Sequence, residues 1–132
     1  MEECVKEILK GLHMGVLGIE HVVDKIDSEG LRRLVVKQKK EYESLIQRVH
    51  AAFPNVEDKE PGMISESMIE MKTMFASDND IVKMLMKGCN NAVISMTEVI
   101  HSQQCIDAKL KSLADDVEDV SKNYEEQLKS YL

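Results

Sequence analysis

The chain has 132 residues, 43% of them hydrophobic, which is enough for one core and too few for two independent domains, so residues 1–132 read as a single domain. Two prolines, six glycines and 4% aromatic residues favour long helices over a sheet built from short strands and tight turns. A formal charge of -7, with no basic cluster longer than Lys37-Gln38-Lys39-Lys40, excludes a nucleic-acid surface of the usual kind, whose affinity comes from gathered lysine and arginine.

The first predicted element is a helix. Its apolar residues fall at Val5, Leu9, Leu12, Val16, Ile19, Val23 and Ile26, in alternating steps of four and three that place them on one stripe. Asp27 or Ser28 caps a second helix, with the same spacing at Leu31, Val35, Gln38, Tyr42, Leu45, Val49 and Ala52. The short break makes this pair a hairpin. Phe53-Pro54 and the polar stretch from Asn55 to Gly62 end the second helix and begin the one long connection.

A short amphipathic segment follows, Met63 to Phe75, and then Ser77-Asp78-Asn79-Asp80, which caps a third long helix from about Ile81 to Gln104. The inner face of that helix carries Val82, Leu85, Cys89, Ala92, Met96 and Val99, and the small residues Gly88, Cys89 and Ala92 predict that the backbone of this helix approaches a neighbour closely there. A fourth helix starts near Asp107 and shows Leu110, Leu113, Val117, Val120, Tyr124 and Leu128, with Tyr131 near its end. Each long helix has about 22 to 25 residues, roughly 33 to 38 Å. Four matched stripes close one core, so the expected fold is an all-α, antiparallel four-helix bundle with a short extra helix or helix break before the third long helix.

The matched lengths and the two hairpins with a longer connection between them resemble the ferritin-like superfamily, in particular its small bacterial members. Gly18-Ile19-Glu20 through Leu31-Arg32-Arg33-Leu34, Gln38 to Leu45, and the closing Tyr124-Glu125-Glu126-Gln127-Leu128-Lys129-Ser130-Tyr131-Leu132 add to the resemblance. Di-iron members of that superfamily use an inward Glu from each of two helices and a Glu-x-x-His from each of the other two, because carboxylates and imidazoles must converge on two metal ions. This chain does not supply the set. The second helix offers Glu41-x-x-Ser44 and Glu43-x-x-Ile46, and the fourth offers Glu118-x-x-Ser121 and no histidine. The one Glu-x-x-His is Glu98-Val99-Ile100-His101, and at ~100° per residue its ends point about 150° away from the inner face of the third helix. Glu20 and Glu41 flank their apolar stripes. An iron, manganese or zinc protein built on Glu20, Glu41, Glu98 and His101 is therefore the alternative reading, not the first.

Other candidate chemistry has a plainer structural reading. Glu98, His101 and Cys105, at i, i+3 and i+7, share one outward stripe and are each competent for zinc, yet three ligands on one straight helix rarely converge without a second chain. Cys4, Cys89 and Cys105 are odd in number and widely spaced, which fits neither a disulfide framework nor paired zinc half-sites, so reduced thiols are expected. With no cationic leader and no apolar run near the ~20 residues that span a bilayer, a soluble cytoplasmic protein is expected as well.

Met63, Met68, Met71 and Met74, with Met84 and Met86 nearby, superficially match a thioether set for copper, but methionine more often fills irregular cores and adaptable surfaces. This segment is the expected interaction surface, for a protein partner or a second copy in a homodimer. Gln38, Tyr42 and Tyr124 sit on apolar stripes and are expected to satisfy one another and fix helix register. No phosphate loop, nucleophile elbow or His-Glu-x-x-His motif is present. The expected function is thus a non-catalytic bundle without a cofactor, acting through protein contacts.

Overall fold

In a computed structural model the described residues are 1–58 and 77–132. They form four long helices and no strand: α1 (Glu2–Val22), α2 (Glu29–Ala52), α3 (Asp78–His101) and α4 (Ala108–Leu128). One-turn 3-10 segments, Val23–Lys25 and Lys129–Tyr131, follow α1 and α4. Among the described residues, no helix is long and apolar enough to cross a membrane.

Short polar side chains set the helix starts by accepting backbone amides that have no partner within the first turn. The Ser28 hydroxyl accepts from the Leu31 amide, Ser77 from Asp80, and Asp107 from Leu110. Ser28 rather than Asp27 is therefore the cap of α2, and α3 begins at Asp78, ahead of the expected Ile81. At its other end α3 stops at His101, because Ser102 is extended with φ -72° and ψ 132°. α1 tightens into the 3-10 turn at Val23, which turns Val22 instead of Val23 into the core. The four predicted stripes otherwise form the core, with Ala52, Ala92 and Val120 only partly buried.

Two tethers fix how the helix ends meet. The Asp78 carboxylate accepts the backbone amides of Asp27 at 2.8 Å and Ser28 at 2.9 Å, so α2 and α3 begin side by side. Their positive dipole ends would repel, and the carboxylate placed between them offsets this. At the opposite end Cys4, in the first turn of α1, is joined by a disulfide to Cys105, just past α3, with Cα atoms 6.0 Å apart. An Arg48–Asp116 ion pair at 2.6 Å links α2 to α4. α3 packs against both α1 and α4, and α2 against both α1 and α4.

The disulfide corrects the expectation of three reduced thiols. Cys105 is not an exposed thiol on the third helix. The helix ends four residues earlier, and the Ser102–Ile106 turn carries Cys105 inward, where it is 4% exposed. Cys89 alone is free, and it is buried.

The bridge joins positions separated by 101 residues, and a cross-link that long constrains the unfolded chain strongly. Reduction, or Cys4→Ser, should therefore lower the unfolding free energy by about 2 to 5 kcal/mol. Urea denaturation with and without reductant measures this, and coincident curves would show that the bridge contributes nothing.

Candidate functional site

The residues singled out for metal chemistry do not come together. The Glu20 carboxylate is taken by Lys39 at 3.3 Å. Glu41, Glu98 and His101 are exposed, and Cys105 is consumed by the disulfide. Among the described residues, no three of His, Cys, Asp and Glu are placed to hold a metal ion. Met63, Met68, Met71 and Met74 lie outside the described residues. Two histidines without an evident partner in the sequence do find one: His13 Nε2 and His50 Nε2 lie 2.7 and 2.8 Å from the same Asp58 Oδ2, which pins the loop after α2 onto α1.

The polar groups that do gather lie at the centre of the bundle. Tyr42 from α2 and Tyr124 from α4 stand edge to face, with ring centroids 6.3 Å apart and planes at 81°. The Tyr42 hydroxyl lies 3.4 Å from Ser121 Oγ, and Cys89 approaches from α3. Burial raises the pKa of both phenols, and the neighbouring Cys89 raises them further, while the Ser121 contact pulls Tyr42 slightly the other way. Burial, followed by the nearby Glu125 charge, pushes the Cys89 thiol up to about 12. All three groups are neutral at physiological pH, and a protonated thiol is a poor nucleophile.

The expectation that the core polar groups satisfy one another is met only for Tyr42. The Gln38 side-chain nitrogen and the Tyr124 hydroxyl are buried with no hydrogen-bond partner among the described residues. Such groups cost roughly 1 to 3 kcal/mol each, and in a folded protein they call for a reason.

A cleft of about 730 Å³ runs between α1 and α3. Gly11, Met14, Gly15 and Gly18 line it from α1, Met84, Leu85, Gly88 and Ala92 line it from α3, and Tyr42, Cys89 and Tyr124 belong to its wall. Lys10, Lys83, Lys87, Glu7 and Asp80 also border it. Glycines at i, i+4 and i+7 place the bare backbone of α1 along the seam. At Gly15 a Cβ would lie 2.7 Å from the Tyr42 ring, whereas at Gly18 and Gly88 it would meet no described atom within 4 Å. The close approach predicted at Gly88 is thus not made there, and the tight contact lies instead between Gly15 of α1 and the Tyr42 ring. The volume lies in the range of ~300 to 1,000 Å³ typical of small-ligand pockets.

Comparison with family models, curated proteins and solved structures found no match. Fold and site alone define the class: an all-helical chain with a largely apolar cleft between two of its helices.

Gly15→Ala should destabilise the fold by about 1 to 3 kcal/mol, since the ring must move within a packed core and this outweighs the gain in helix propensity. Gly88→Ala, at an exposed position, should be neutral or stabilising. Equal denaturation midpoints for the two variants would contradict the close contact with Tyr42.

Alkali provides a second check. Cys89, Tyr42 and Tyr124 hold their protons more tightly folded than unfolded. Their contribution is therefore intact below the ordinary values of 9.0 and 10.0 and is lost as pH rises through the elevated ones. Stability should fall from about pH 9 upward, and less steeply in Cys89→Ala. Urea midpoints across this range test it, and parallel profiles for the two proteins would count against a buried thiol.

Proposed function

We propose that this chain is a non-catalytic, ferritin-like bundle that works by binding, with the α1/α3 cleft as the seat of its ligand. The cleft carries this reading, since its volume of about 730 Å³ and its largely apolar wall are those of a small-ligand site. The ferritin-like layout is supported by the shared starting end of α2 and α3 and the one long connection between them, residues 53–77, because a single long crossover is the mark of those bundles.

At the centre, Gln38, Tyr42, Cys89, Ser121 and Tyr124 offer no carboxylate or imidazole, and such a set does not suit iron, manganese or zinc. Nor does it suit acid-base work, since every group in it is held neutral. The Cys4–Cys105 disulfide weighs against the expected cytoplasmic location, where thiols are kept reduced.

Nile red, a neutral dye that fluoresces in apolar surroundings, tests the cleft. The native protein should bind it saturably. Gly88→Leu places an isobutyl group in the cleft from an exposed helical position and gains most of the ~0.8 to 1 kcal/mol of helix propensity that separates glycine from alanine. It should therefore keep the helical circular dichroism and melting temperature while losing the dye. No binding by the native protein, or undiminished binding by a folded Gly88→Leu variant, would refute the cleft as the binding seat.

A further inference from the structure

We infer that the cleft takes a single-chain aliphatic carboxylate, with its alkyl body lying between α1 and α3 and its head at the rim beside Lys83 and Lys87. This inference rests on the binding reading above and adds the chemical class of the ligand.

The border of the cleft supplies the sign of the charge. Lys10, Lys83 and Lys87 stand there with Glu7 and Asp80, so three cations against two acids leave one net positive charge, in a chain whose formal charge is -7. A monoanion matches that border better than a neutral or cationic ligand does, and better than a dianionic phosphate. All three lysines are exposed, and none holds a carboxylate among the described residues.

Their positions supply the direction. α1 and α3 run antiparallel: Asp27 and Ser28 meet Asp78 at one end, and toward the other a Cβ at Gly11 would stand 3.8 Å from Met96. Lys10 therefore borders one end of the cleft and Lys83 the other. Lys10 has Glu7 one turn before it on α1, which offsets its charge. Lys83 and Lys87 lie one turn apart on the same face of α3, and the other positions one turn from Lys87 are Met84, Asn90 and Asn91, with no acid among them. Asp80, the nearest acid on α3, already accepts the Ser77 hydroxyl at 3.0 Å. From Lys87 to Ser95 the helix rises about 12 Å, past Gly88 and Ala92, and a chain of decanoate length spans that distance.

The head needs no burial. A carboxylate at the rim keeps its water, so the penalty for burying an ion does not arise. Each exposed ion pair then adds only a few-fold to affinity. The lysines thus select sign and orientation, while apolar contact along the tail supplies most of the binding.

Displacement of bound Nile red by decanoate, decanol and decyltrimethylammonium, each below its micelle-forming concentration, tests the charge. For the wild type, decanoate should act at a concentration at least about threefold below decanol, with the cation weakest. Lys83→Gln/Lys87→Gln alters only exposed side chains and should keep the wild-type melting temperature, while the advantage of decanoate over decanol falls to about parity. Lys87→Glu leaves the border with one net negative charge and should reverse the order of decanoate and decyltrimethylammonium.

Equal potency of decanoate and decanol in the wild type, or an advantage that survives in Lys83→Gln/Lys87→Gln, would overturn the ligand class while leaving the cleft in place. So would greater potency of the cation. Sedimentation of the protein with phosphatidylglycerol vesicles that decanoate does not relieve would overturn it too, by assigning the lysines to a membrane face. No binding of Nile red by the native protein, or undiminished binding by a folded Gly88→Leu variant, would remove the cleft and this inference together.

Discussion

The Tyr42 ring occupies the space that a side chain at position 15 would fill, 2.7 Å from where its Cβ would stand, and the interior of the bundle is arranged around that contact. With its ring against the backbone of α1, Tyr42 stands nearly perpendicular to the Tyr124 ring and brings its hydroxyl to Ser121. A close-packed core needs complementary volumes on its facing elements. Here α2 and α4 supply the two large aromatic groups, while α1 and α3 face each other with Gly11, Gly15, Gly18, Gly88 and Ala92. Bulk on one side and bare backbone on the other leave space at the α1/α3 seam. The cleft and the tyrosine pair are two results of the same uneven distribution of side-chain volume.

The seam is fixed at both of its ends. Cys4 holds the start of α1 to the turn after α3, and Asp78 at the start of α3 holds the amides of Asp27 and Ser28 just beyond α1. Helices clamped in this way keep their spacing with nothing between them. A ligand entering the cleft then loses less to ordering the protein, which is what preorganisation contributes to affinity.

The stripes of α1, α2, α3 and α4 were legible in the sequence because burial along a helix repeats every three to four residues, and Leu12, Leu31, Val82 and Val117 are buried where that period puts them. What the period does not encode was missed. It continues smoothly through Ser102 and so predicts a helix to Gln104 with Cys105 on an outward stripe, whereas one extended residue at Ser102 turns Cys105 to the core and to Cys4. The partnership of Asp58 with His13 and His50 spans 45 residues on one side, and nothing local announces it. The glycines at positions 11, 15 and 18 were a usable signal, since a small-residue seam on α1 faces the one already visible at Gly88 and Ala92 on α3. Glycine is silent in an apolar periodicity, so the stripe alone does not reveal it.

The chemistry of the centre also sets what its burial requires. Carboxylates converging there would repel one another and lose hydration unless a cation compensated them, so such a site stabilises the fold only when it is filled. Gln38, Tyr42, Cys89, Ser121 and Tyr124 carry no charge, so burying them requires only that their hydrogen bonds be made. Tyr42 and Ser121 meet that condition between themselves, and the Gln38 side-chain nitrogen and the Tyr124 hydroxyl do not among the described residues. The residual cost of roughly 1 to 3 kcal/mol for each of the two unpaired groups is small enough for the fold to carry.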